Sequence, residues 1–207
     1  MNKLIDQLVK QKYLRSPVII NAFRKIKRAD FVPKGIIREK GKDFVNQYNA
    51  PLPIGFGQTI SQPLTVAFML ELLQPEKDDR ILDIGSGSGW QTAMLCQIVG
   101  NEGFVYSIEL IPELKFFGED NVLKYNFKNV EFICDNGSIG LLDKAPFDRI
   151  IAAASADQIP KAWKEQLKIN GRLVAPVGNS IWLLVKKSKN KFEKKEYPGF
   201  VFVPLIN

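Results

Sequence analysis

The chain has 207 residues, 45% of them hydrophobic, with 29 Lys and Arg against 22 Asp and Glu, a net charge of +7 and no histidine. That length fits the roughly 100–200 residues of one domain, large enough to bury a core without disulfides, and no apolar run approaches the roughly 18 residues of a membrane-spanning helix. The positive excess favours anionic partners without choosing among nucleic acid, membrane surface and acidic groups on proteins. Cys96 and Cys134 lie far apart in apolar segments with no CxxC spacing, and read as reduced, buried thiols that form no metal site. The N-terminal run is amphipathic, interrupted by Asp6 and Gln7 rather than continuously apolar like a signal peptide, so a cytoplasmic location is expected.

Leu4, Ile5, Leu8 and Val9 recur at helical spacing, and a second helix is predicted with Ser16 as N-cap and Pro17 in first position. Pro33 and Gly35 then break the pattern, and residues 36–62 hold no convincing long periodic element. The expected organisation is one domain, with 1–62 a helical and loop extension and 63–207 an α/β core. Within that core Val66, Ala67, Leu70 and Leu73 form one helix face, and Ser61, just ahead of Pro63, fits an N-cap.

Five short β-rich runs follow, RILDI, FVYSIEL, VEFIC, DRIIAAA and GRLVAPV, with helical stretches at Trp90 to Val99, about Pro112 to Tyr125, and Ile159 to Leu167. Strands alternating with helices imply a doubly wound, mostly parallel sheet. IWLLV and FVFVPLI have no helical pattern between them and are expected to form an antiparallel hairpin at one edge. The lysine-rich Lys186 to Lys195 would be its solvated connection.

ILDIGSGSGW, Ile81 to Trp90, follows a predicted strand and opens a predicted helix, the position where such a sheet binds nucleotides. Its glycines alternate, Gly85, Gly87 and Gly89, instead of following GxGxxG, and Asp83 precedes them at the strand end. This resembles the first motif of class I, Rossmann-like S-adenosylmethionine-dependent methyltransferases. Glu109 ends the next strand where a carboxylate can accept from both hydroxyls of a ribose, and Asn136-Gly137 follows the strand after that, where such enzymes hold adenine.

RADFVP, PLPIGFGQTISQP, LDIGSGSGWQTA, APFDRII, QLKINGRLVAPVG and FVFVPL together resemble the protein-L-isoaspartate O-methyltransferase family, in its order and approximate spacing. The resemblance implies transfer of a methyl group from S-adenosylmethionine to the free carboxylate of isoaspartyl residues in damaged proteins. It implies Ser61 as the active-site serine and cofactor contacts from Thr59, Ile60, Ser61, Asp83, Gly85, Ser86, Gly87, Ser88, Glu109, Asn136 and Gly137, with no metal. The family's usual GDG is Asp135-Asn136-Gly137 here, so an amide replaces the adenine-facing acid. A monomer acting on isoaspartyl proteins and peptides, with neither nucleic acid nor membrane as partner, is expected. The alternatives are a related methyltransferase acting on RNA or on aspartates of a dedicated peptide, and a non-catalytic module on the same fold. A free α-carboxyl has a pKa of about 3.5 and is already ionised near neutrality, so the reaction needs no base. The absence of histidine is then consistent with the chemistry.

Overall fold

The computed structural model describes residues 3–206. Four helices come first: α1 (Lys3–Lys10), α2 (Pro17–Lys25), α3 (Lys34–Lys40) and α4 (Lys42–Gln47), with a 3-10 turn at Arg28–Phe31. A two-stranded antiparallel hairpin, β1 (Leu52–Gly55) and β2 (Gln58–Ile60), leads into α5 (Pro63–Leu73). The remaining elements are β3 (Arg80–Ile84), α6 (Trp90–Val99), β4 (Phe104–Glu109), α7 (Pro112–Leu123), β5 (Val130–Cys134), β6 (Phe147–Ala152), α8 (Lys161–Gln166), β7 (Leu167–Val177), β8 (Ser180–Lys186) and β9 (Phe192–Pro198).

Seven strands form one sheet in the order β5-β4-β3-β6-β7-β8-β9. The pairs among β3 to β7 are parallel, and β7–β8 and β8–β9 are antiparallel. The order reverses at β3, whose neighbours are β4 and β6. The first βα loop therefore opens at a topological switch point, where ligands bind in open α/β sheets. β3 and β4 read as near-continuous apolar runs because both faces of the sheet are covered, and buried side chains fall into one cluster on each side.

α1 turns Leu4, Ile5 and Leu8 inward, and these join the cluster that also holds residues of α2, α5 and α6. Ser16 occupies the N-cap position of α2 but makes no cap bond. Its hydroxyl donates to Glu71 Oε2 (2.8 Å), while the amides of Arg15 and Ser16 donate to Glu71 Oε1 (each 2.8 Å), fastening the chain to α5. Residues 34–60 contain α3, α4 and the hairpin, none of which the sequence announces. α3 buries no side chain and α4 only Val45, so neither carries an apolar period.

Cys96 is buried as expected, but Cys134, the last residue of β5, is exposed. The C-terminal hairpin differs from expectation in one strand. IWLLV lies in β8, but its partner β9 is FEKKEYP, in register from Ser180↔Pro198 to Lys186↔Phe192. The lysine-rich segment thus supplies an edge strand, and charged side chains on an edge discourage pairing with other chains. FVFVPLI is instead a strap across the sheet's carboxyl end. Val203 O accepts from Ser155 N (2.8 Å), and Leu205 N donates to Ser155 O (2.8 Å). Pro204 has no N–H for a ladder, which disfavours this run as a paired strand.

Candidate active site

The loop from Gly85 to Gly89 connects β3 to α6 and turns on glycines with positive φ. A Cβ on Gly89 (φ +80°) would stand 2.6 Å from Gly118 O, so glycine there allows α7 to press against the loop. Asn121 Nδ2 donates to Ser88 O (3.0 Å) from the same helix. Glu109, the last residue of β4, receives Gly87 N on Oε2 (2.8 Å) and Ile111 N on Oε1 (3.1 Å). Each carboxylate oxygen keeps acceptor capacity after those bonds.

A cleft of about 870 Å³, open mouth included, lies here. Thr59, Ile60 and Ser61 line it from the end of β2, Gly85, Ser86, Gly87 and Ser88 from the glycine loop, Glu109 from β4 and Gly137 from the turn after β5. A second groove adjoins it, lined by Pro51, Gln62, Thr65, Val201 and Phe202 and sharing Thr59, Ser61, Ala153 and Val203 with the first. Ser61 therefore stands on a wall common to both.

Two predicted contacts lie elsewhere. Asp83 is fully buried and does not line the cleft. Its Oδ1 accepts from Gln91 Nε2 (2.8 Å), and its Oδ2 from Thr92 Oγ1 (2.6 Å) and Ser107 Oγ (3.2 Å). Burial pushes this carboxyl above its ordinary value, opposed by the hydrogen bonds from Thr92, Gln91 and Ser107. It reaches the cleft only through Gln91, which does line it. The Asn136 side chain is also absent from the lining, because its oxygen caps the short 3-10 turn Gly137–Ile139 by accepting from Ser138 N (2.9 Å). Gly137 itself packs so tightly that a Cβ would fall 2.5 Å from Ile84 Cγ2.

Ser61 is not the cap of α5. Gln62 holds that position, with Pro63 next, and its side chain makes no cap bond. Asn49 Oδ1 accepts the Leu64 amide (3.0 Å), and Asn49 O accepts from Gln62 Nε2 (2.9 Å). Sequence reading also missed the cleft wall built by Val203 to Ile206. The proline interrupting that run was the available signal. Trp90 and Gln91 line the cleft too, and nothing but their place after the glycine loop marks them.

The model of the family described as protein-L-isoaspartate (D-aspartate) O-methyltransferase matches residues 1–207. The chain belongs to that family. It is 42% identical over 210 residues to the protein-L-isoaspartate O-methyltransferase of Flavobacterium psychrophilum, covering 99% of this chain and 93% of the relative. The Methanopyrus kandleri enzyme of the same name is 36% identical over 209 residues, with 99% and 90% covered. A solved Plasmodium falciparum structure, described as a candidate protein-L-isoaspartate O-methyltransferase in complex with S-adenosyl-L-homocysteine, matches in fold with a TM-score of 0.85. It is 21% identical and covers 99% of this chain and 97% of that one. With the family come S-adenosylmethionine as cofactor, carboxyl O-methylation as reaction and isoaspartyl proteins as substrate class.

The cleft fits that cofactor. Ser86 Oγ is buried in the lining without a hydrogen-bond partner among the described residues, a vacancy that a bound polar group would satisfy. Glu109 offers two acceptors suited to a diol. Ile84, Ile108 and Ile111 give an apolar bed beside Gly137, where any side chain would intrude.

Proposed function

We propose that this chain methylates the free carboxylate of isoaspartyl residues in damaged proteins, with Ser61 holding that carboxylate by a hydrogen bond. The observation that carries the reading is the place of Ser61 on the wall shared by two adjoining clefts, its hydroxyl released from helix capping by Asn49. One cleft suits the cofactor and the other an extended peptide. Bound S-adenosylmethionine supplies a methyl group activated by its sulfonium charge. Glu109 would accept from the ribose hydroxyls, and Gly85 to Ser88, Thr59 and Ile60, which line the same cleft, would supply the remaining contacts to the cofactor. Asp83 acts through Gln91, and Asn136 shapes the adenine end by capping the turn that presents Gly137.

The substrate carboxylate is its own nucleophile, ionised by about three orders of magnitude near neutral pH. What remains for the protein is alignment and removal of water, a contribution that can reach about 7–11 kcal/mol in well-oriented systems. The anion is neutralised as the bond forms, so strong cationic donors would stabilise the ground state more than the transition state. Neither cleft has a Lys or Arg in its lining, among the described residues. A single hydroxyl orients without over-binding.

The chain is read as one domain, 1–62 leaning on 63–207, acting as a cytoplasmic monomer with no nucleic-acid partner. The positive charge is spread over lysines that line neither cleft. The deciding assay pairs labelled S-adenosylmethionine with peptides differing only in Asp against isoAsp. Base-labile label on the isoAsp peptide alone is expected. Equal labelling of both, or none, would overturn the reading.

A further inference from the structure

Arg28 is 3% exposed and lies in the turn between α2 and α3. Its partners are main-chain carbonyls. Nη1 donates to Tyr48 O (2.9 Å) and Val45 O (3.4 Å), and Nη2 donates to Ala50 O (2.7 Å), Ser61 O (3.2 Å) and Ile60 O (3.4 Å). Burying a cation costs free energy unless its donors are well used, and burial lowers this guanidinium to about 10. The placement of the five carbonyls gives the cost a purpose.

Tyr48 and Ala50 precede β1, while Ile60 and Ser61 close β2 and lead out of it. One guanidinium fork therefore grips both arms of the hairpin at its base. Leu52, Ile54 and Ile60 anchor the hairpin's inner face in the core, but its own backbone pairing is thin. Its ladder is three pairs long with a register shift between Pro53 and Gly55, and a two-stranded hairpin alone is marginally stable. On its other side the guanidinium carbon lies 5.6 Å from the ring centroid of Trp90, the first residue of α6 and part of the cofactor cleft. Arg28 thus joins the wall that carries Ser61 to the wall that follows the glycine loop.

We propose that Arg28 is a positioning residue for methyl transfer, setting the distance between Ser61 and the cofactor by clamping the hairpin base against Trp90. The inference rests on the reading of Ser61 as the holder of the substrate carboxylate. A planar fork can bridge two chain segments, whereas a lysine ammonium keeps the charge but cannot span them in the same way. A displacement of about 1 Å is enough to cost on the order of a hundredfold in rate.

The test compares wild type, Arg28→Lys and Arg28→Gln, folded by circular dichroism. Both variants should lose about 10–100-fold in kcat, with KM for an isoAsp peptide and Kd for S-adenosylmethionine shifting less than about threefold. Hydrogen exchange at the amides of Gln58 to Ser61 should accelerate at least about tenfold while those of β3 and β4 hold, the signature of a local opening. Unchanged kcat, or unchanged exchange at the hairpin, would overturn the proposal. Loss of global structure in both variants would also overturn it, by making Arg28 a residue of the fold. Wild type that leaves the isoAsp peptide unmethylated would sink the functional reading instead, and the exchange comparison would still judge the clamp.

Discussion

Asn49 Oδ1 accepts the amide of Leu64 at 3.0 Å, capping α5 from fifteen residues away in sequence. The cap and the proposed catalytic hydroxyl are therefore carried by different residues, and mutation should separate them. Asn49→Ala should lose about 0.5–2 kcal/mol, roughly 2–4 °C in Tm per kcal/mol for a chain of this length.

Ser61→Ala should leave Tm within about a degree of wild type while kcat/KM for an isoAsp peptide falls about 10–100-fold, the value of one hydrogen bond to a charged group. Thermal unfolding and steady-state kinetics on the two variants suffice. A Ser61→Ala protein with near-normal turnover would remove the serine from the mechanism.

Glu109 is tied by two backbone amides, Gly87 at 2.8 Å and Ile111 at 3.1 Å, so its carboxylate is already aimed before any ligand arrives. Glu109→Gln sets an amide nitrogen against one of those donors and also loses charge-assisted acceptance from the ribose. Calorimetric titration should give a Kd for S-adenosylmethionine raised about 10-fold or more. An unaltered Kd would argue that the ribose is held elsewhere.

The alternating glycines and Glu109 were legible because they encode local necessities: a turn that other residues resist, and an acid at a strand end. α6 was legible for the same reason, its start set by Gly89 and its end by Gly100. The rest depends on distant partners. Asn49 caps a helix it does not adjoin, and Arg28 bonds carbonyls 17–33 residues away. Asp83 looked like a ligand contact because strand-end acids in such loops point toward the site. Here three side-chain donors draw it behind the lining. FVFVPLI and FEKKEYP were exchanged because apolar content outweighed two quieter signals, the proline in one and the charges tolerated on an edge in the other.

Asp83 gives a pH signature of its own. Burial raises its pKa in the folded state, so the folded protein binds the proton more tightly than the unfolded chain. The stability it contributes is full below the unfolded value of about 3.9 and declines as pH rises through the folded value. Asp83→Asn abolishes that slope. The Tm of the variant minus that of wild type should therefore increase as pH rises from the unfolded value of about 3.9 through the raised folded value. A difference that stays constant, or shrinks, would show that the carboxylate is fully compensated by Thr92, Gln91 and Ser107. Because Gln91 lines the cleft, the same variant should also weaken cofactor binding, read by calorimetry.

The catalytic pH profile is a separate test, because stability and turnover answer to different groups. Among the described residues lining the two clefts, Glu109 is the only titratable side chain, and the chain has no histidine. A reaction that needed a protein base would show a limb near the pKa of that base. A reaction whose nucleophile is the substrate's own carboxylate should show none near neutrality. Turnover, measured as release of the demethylated cofactor so that ester lability does not interfere, should be flat from about pH 6 to 9. It should fall only on the acid side, as the substrate carboxyl takes up a proton near its ordinary value of about 3.5. A limb between about pH 6 and 8 would mean that an ionisable group outside the two clefts takes part in the step, and the base-free mechanism would have to be abandoned.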